Sequence, residues 1–218
     1  MAEPHDAPHD HRHDDGHDHP HPADLDATAP THHQLMTEAV AGLLVEKGIV
    51  GADELRATLE AIDQKSPADG ARLVARAWLD DGFRARLLAD VEGAAGELGI
   101  DAGAIPIRAV ANAPGVHNLV VCTLCSCYPR LLIGLPPDWY KARAYRARAV
   151  REPRAVLAEF GLELPADTIV RVHDSTADLR YLVVPERPAG TDGWHEDQLA
   201  ALVTRDCMIG TARPRAPG

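Results

Sequence analysis

Three of the chain's four cysteines crowd into one hexapeptide, Cys122-Thr123-Leu124-Cys125-Ser126-Cys127. Cysteines this close in a chain expected to be cytoplasmic point to metal or redox chemistry before structural cross-links. Cys125-Ser126-Cys127 can act as a tight chelate. The Cys127 thiolate and its own backbone nitrogen close a five-membered ring on a metal, and the nitrogens of Ser126 and Cys127 close a second. The Cys125 thiolate and the Ser126 nitrogen close a six-membered ring. Two sulfurs and two amide nitrogens then share a plane, Cys122 reaches an axial position, and a sixth position stays open for water or substrate. Amide nitrogens bind only after losing their protons, which calls for a strongly Lewis-acidic trivalent ion, cobalt or iron. The alternative on spacing alone is structural zinc, with His117 or Cys207 as fourth ligand of a closed tetrahedron. A thioredoxin-like Cys-x-x-Cys fits less well, because this motif does not open a helix after a strand.

The chain's 218 residues allow one domain with a real core, and 45% hydrophobic residues is ordinary for a globular protein. A net charge of −11 argues against a general nucleic-acid surface. No apolar run approaches the roughly 20 residues of a membrane span. The start Met1-Ala2-Glu3-Pro4-His5-Asp6 lacks a basic and apolar leader, so a cytoplasmic location is expected. Residues 1–30 are built of His, Asp, Pro and Ala, and nine of the twelve histidines fall at or before His33. This composition predicts a disordered tail. It reads either as a weak scavenging site for divalent cobalt, nickel or zinc, or as a solvated segment without a role in the reaction.

Helical spacing starts at Thr31, the expected N-cap, and runs to Gly48 through Leu35, Met36, Val40, Leu43 and Leu44. Further helices are expected over 52–64, 71–79 and 82–98. Trp78 and Phe83 read as packing residues. β-branched runs at 105–110 and 118–121 predict strands, and the cysteine hexapeptide follows the second directly. Helices are then expected over 139–149 and 153–160, a pair of strands over 168–172 and 179–184, and a closing helix over 196–204. The organisation is a tail (1–30), helical arms (31–99) and a metal-binding α/β domain (100–213).

Val120-Val121-Cys122-Thr123-Leu124-Cys125-Ser126-Cys127-Tyr128-Pro129 resembles the signature of the nitrile hydratase α subunit family. The resemblance continues through Gly134-Leu135-Pro136-Pro137-Asp138-Trp139-Tyr140-Lys141, Arg151-Glu152-Pro153-Arg154, Asp174-Ser175-Thr176-Ala177, Arg187-Pro188-Ala189-Gly190-Thr191 and Leu202-Val203-Thr204-Arg205-Asp206, and covers about residues 33–212. It implies an α+β fold: helical arms before a layered α-β-β-α domain. It also implies the family reaction, hydration of a nitrile to an amide by a hydro-lyase. By the same resemblance Cys122 is the axial thiolate, Cys125 is oxidised to a sulfinic and Cys127 to a sulfenic acid, and the Ser126 and Cys127 amides complete the ligands. Thr123 and Tyr128 match the cobalt-type pattern, so low-spin cobalt(III), non-corrin, is expected ahead of iron(III).

The implied partners are a β subunit, in one chain or split over two, whose arginines hold the oxidised sulfurs, and an activator that delivers cobalt. The chain alone is then expected to be inactive. Family acids that support the centre fall on Asp174 and Asp178, which on the residues alone read equally as turn chemistry; Asp178 stands where Glu is usual. Two further departures are Arg130, where Trp is common, and Cys207, where Ser is usual. Both are similar to the related thiocyanate hydrolase γ subunit, which converts thiocyanate to carbonyl sulfide and ammonia. An arginine there would favour a small anion; otherwise it faces a partner or solvent. A non-catalytic zinc module remains the reading from a different class.

Overall fold

The computed structural model of the chain describes residues 32–215. The N-cap expected at Thr31 and the tail expected over 1–30 lie outside the described residues. Five helices come first: α1 (His32–Glu46), α2 (Ala52–Asp63), α3 (Ala68–Leu79), α4 (Asp81–Ala89) and α5 (Val91–Glu97). Strands β1 (Ile107–Ala111) and β2 (Val116–Val121) follow, then α6 (Arg130–Ile133), α7 (Asp138–Lys141), α8 (Arg143–Arg151) and α9 (Pro153–Glu159). Strands β3 (Ile169–Asp174) and β4 (Arg180–Val184) lead to α10 (Glu196–Ala200) and α11 (Arg205–Ile209).

Capping residues explain where the helices break. The helix expected over 82–98 is two helices, because Asp90 is extended (φ −151°, ψ 101°) and its carboxylate accepts from the Gly93 N–H at 3.1 Å. Asp80 caps α4 in the same way through Phe83 N–H at 2.9 Å. An N-cap carboxylate satisfies one orphan donor of a new first turn, so Asp mid-run starts a helix rather than continuing one. The helix expected over 139–149 is also broken, at extended Ala142. The closing helix stops at Ala200, and Thr204 caps a further helix, α11, by accepting from Cys207 N–H.

The strands expected over 168–172 and 179–184 form as β3 and β4, but they do not bond to each other. β1 pairs with β4 in parallel, Ile107 opposite Arg180, and β2 pairs with β3 in parallel, Val121 opposite Asp174. Helices α4 and α5 back β1, helices α8 and α9 back β2 and β3, and the two small sheets meet where β2 passes β4. The order of layers is therefore α-β-β-α. Helices α1 and α2 bury no residue, whereas α3 buries Leu73 and Val74 completely, so α3 to α5 join the core of the layered domain.

Strand β2 is buried on both faces from His117 to Val121, polar His117 and Asn118 included. Buried polar groups need partners. His117 meets the Gly210 carbonyl at 2.6 Å and Asn112 Nδ2 at 3.3 Å; Asn118 Nδ2 donates to Ala111 O at 2.8 Å, and its Oδ1 meets His173 Nε2 at 2.8 Å. This network ties β1, β2, β3 and the end of α11 together. It holds rigid the strand that delivers the cysteines.

Candidate metal centre

Cys122 is the first residue after β2, and Asp174 is the last residue of β3, level with Val121. Parallel register therefore puts the Asp174 carboxylate beside the start of the cysteine loop. It accepts from Thr123 N–H at 2.9 Å and from Thr123 Oγ1 at 2.5 Å. Ser175 N–H donates to Val121 O at 2.7 Å, which continues the ladder one step past the strand. From below, Tyr140 donates its hydroxyl to Cys127 O at 2.9 Å, and Tyr145 donates to Val120 O at 2.7 Å. Both tyrosines are buried in an edge-to-face aromatic cluster with Trp139 and Phe160.

So held, the loop folds back on itself. Cys125 N–H donates to Cys122 Sγ at 3.2 Å; Cys122 and Cys125 sulfurs are 3.5 Å apart, and Cys125 and Cys127 sulfurs 3.1 Å apart. All three sulfurs lie within 4.8 Å of one another, a cluster that could hold a metal ion. Cys122 and Cys127 are buried and Cys125 is exposed. The Cys125 thiol is lowered from its ordinary 9.0, first by the Cys127 thiol and then by further bonds, including the Ser126 and Cys127 N–H groups. Burial and the bond to Cys125 push Cys127 up to about 12, and the Arg180 guanidinium opposes that rise.

Among the described residues, three clustered thiols fall one short of the four ligands that close a structural zinc site. His117 is engaged with Gly210 and Asn112, and Cys207 sits at the start of α11 beside Thr204 Oγ1 at 3.2 Å.

The exposed edge of the loop opens into a cleft of about 690 Å³. Cys125, Ser126 and Cys127 form one wall, with Arg130 at the start of α6, Arg180 at the start of β4 and Lys141 at the end of α7. Lys141 is paired with Asp138 at 3.1 Å, which leaves the two arginines to set the sign of the cleft. Asp178 is not brought there. It is exposed in the turn between β3 and β4, where its N–H donates to Thr176 Oγ1 at 3.3 Å. Arg180, Tyr140 and Tyr145 were not singled out from the sequence as site residues. Nothing local marks them: Arg180 starts β4, far along the chain from Cys127, and lines the same cleft only once the chain is folded.

The profile of the family described as nitrile hydratase, alpha chain, matches residues 31–212. This chain belongs to that family. It is 48% identical over 182 residues to the low-molecular weight cobalt-containing nitrile hydratase subunit alpha of Rhodococcus rhodochrous, covering 83% of this chain and 88% of that one. It is 44% identical over 197 residues to the thiocyanate hydrolase subunit gamma of Thiobacillus thioparus, covering 85% and 81%. Among solved structures, a recombinant thiocyanate hydrolase comprising partially modified cobalt centres superposes with a TM-score of 0.79 at 43% identity, over 86% of this chain and 92% of that one. A double mutant of the Fe-type nitrile hydratase from Comamonas testosteroni Ni1 superposes with 0.77 at 43% identity, over 85% and 91%. The α+β architecture of the nitrile hydratase α chain is thus the architecture found here. No helix among the described residues is long and apolar enough to cross a membrane.

Proposed function

We propose that this chain is the metal-carrying subunit of a cytoplasmic nitrile hydratase, a hydro-lyase that adds water across a nitrile triple bond to give the amide. The observation that carries the reading is the convergence of three thiols, without a fourth side-chain ligand among the described residues, beside an open cleft. Cys122, Cys125, Cys127 and the nitrogens of Ser126 and Cys127 would hold low-spin cobalt(III), with iron(III) as the lesser alternative. Such an ion supplies a Lewis-acidic face that polarises a nitrile or a water molecule. The chain's own residues do the rest. Asp174 fixes the loop through Thr123, and Tyr140 fixes the Cys127 carbonyl. Cys125, exposed and acidified, is the thiol most open to oxygenation; in this reading it becomes the sulfinic and Cys127 the sulfenic acid. The open side of the cleft takes a β subunit, and an activator supplies cobalt.

A second reading is favoured by the cleft's charge. Arg130 and Arg180 line the cleft with the cysteine wall and form no ion pair among the described residues, which suits a small anion such as thiocyanate. The deciding experiment is an assay of the cobalt-loaded complex on a small nitrile and on thiocyanate. Cys125→Ala and Cys127→Ala should each drop cobalt-dependent turnover to background. Arg130→Trp should raise nitrile turnover and abolish thiocyanate turnover if the second reading is right. Stoichiometric zinc with unmodified thiols, by elemental analysis and mass spectrometry of the cysteine peptide, would overturn both.

A further inference from the structure

The cysteine loop is gripped from outside at two of its residues. Asp174 holds Thr123, and Tyr140 holds the Cys127 carbonyl. The sulfur of Cys122 has no such grip. It accepts from Cys125 N–H at 3.2 Å and meets the Cys125 sulfur at 3.5 Å, and both contacts come from within the loop.

One side chain is placed to supply the missing contact. Val121 is level with Asp174 in the parallel register of β2 and β3, and Ser175 N–H donates to Val121 O at 2.7 Å, so the next pair along is Cys122 with Ser175. Successive side chains of a strand point to opposite faces, and partners in register share a face. Asp174 is exposed, whereas Cys122 and Ser175 are both 0% exposed. The register therefore sets Ser175 beside Cys122 on the inner side of the loop, while the Asp174 carboxylate takes Thr123 on the outer side.

Ser175 Oγ is buried and makes no hydrogen bond among the described residues. A buried hydroxyl is seldom left so. The Tyr140 hydroxyl senses both groups: burial raises its pKa first, Cys122 raises it further, and the Ser175 hydroxyl opposes that rise. Tyr140 commits its own proton to Cys127 O at 2.9 Å and has none to give Cys122, whereas the proton of Ser175 is free. A thiol that ligates a metal is deprotonated, and an ionised acceptor draws a stronger hydrogen bond than a neutral one.

We propose that Ser175 is a positioning residue for the metal centre, its hydroxyl donating to the sulfur of Cys122 when that sulfur is a metal-bound thiolate. The proposal rests on the reading of the cysteine cluster as a metal centre. The hydrogen bond satisfies the buried hydroxyl, fixes the Cys122 side chain and draws charge from its sulfur. Two consecutive residues, Asp174 and Ser175, then grip two consecutive residues of the loop, one from each side.

The test compares the full-length chain with Ser175→Ala and Ser175→Thr, each metal-free and loaded with cobalt(II) chloride. An unpaired buried hydroxyl destabilises, so without metal Ser175→Ala should melt at the wild-type temperature or above it. With cobalt, Ser175→Ala should move the thiolate-to-cobalt charge-transfer band to longer wavelength, because a sulfur without a donor releases its electrons more easily. It should also hold cobalt about tenfold less tightly against a competing chelator. Ser175→Thr keeps the hydroxyl and should keep the wild-type band, whatever its added methyl does to the melting temperature. An unmoved band in Ser175→Ala would overturn the proposal alone and leave the centre standing; a lower metal-free melting temperature beside it would mark Ser175 as a packing residue. A band displaced as far in Ser175→Thr as in Ser175→Ala would also overturn it. No band in wild type would overturn the cysteine centre and this proposal together.

Discussion

Asp174 carries two hydrogen bonds to one residue of the cysteine loop, through its backbone and its hydroxyl at once. Loss of a group that orients a ligand loop lowers metal affinity by about 10- to 100-fold. Asp174→Ala should therefore lose cobalt to a competing chelator that wild type withstands, with its melting temperature little changed. His117 makes a different kind of prediction. Burial holds its imidazole below the ordinary 6.5, outweighing the Gly210 carbonyl, which pulls the other way. Burial also lowers His173, with Arg171 and Arg108 adding to the effect. A depressed folded value means that the unfolded chain takes up protons first as pH falls. The stabilisation is thus complete above about 6.5 and is lost as pH falls toward the folded value. Melting temperatures measured from about pH 8 down to about pH 5 should fall, and His117→Gln should flatten the slope. Of the candidate site, the cluster of three cysteines was legible because its spacing is local. Arg180 was not, since it lines the same cleft only once the chain is folded.

Elements here are short, and their ends are set by single side chains. Asp80, Asp90 and Thr204 each start a helix by capping it; Asp90 falls inside the run expected over 82–98, Asp80 between two expected helices and Thr204 at the end of the last. Helices of four or five residues, such as α6 and α11, fall below what a repeat of 3.6 can reveal. The end of α11 is the most constrained point. Gly210 has φ +96°, and a Cβ there would lie 2.0 Å from Asn118 O on β2. A side chain would meet both left-handed strain and rigid backbone. Gly210→Ala should lower stability by at least about 2 kcal/mol, read as a lower urea midpoint at unchanged slope. The same change moves β2, so cobalt retention should fall with it.

At the scale of the molecule, a layered body is joined to two helices that bury nothing of their own. Leu35, Met36, Val40 and Leu43 are each about half exposed on α1, and Leu59 is 55% exposed on α2. A row of apolar side chains left at this exposure marks an interaction surface. Hydrogen exchange in α1 and α2 should be fast in the isolated chain and should slow when the β subunit is added, with little change in β2; unchanged exchange would place the partner elsewhere. The parallel pairing of β1 with β4 and of β2 with β3 spans most of the layered domain, and it is what brings the cleft together.

By itself the sequence determined the cysteine cluster. A hexapeptide with sulfurs at its first, fourth and sixth places keeps its three thiols within a few residues of one another, and the structure brings all three within 4.8 Å. Its match to a family also followed from residues in order. The tertiary structure alone decided the surroundings: Asp174 on Thr123, the tyrosines beneath, two arginines across the cleft, and Asp178 turned away. Strand pairing and packing are settled by surfaces remote in the chain, and no local pattern of residues carries that information.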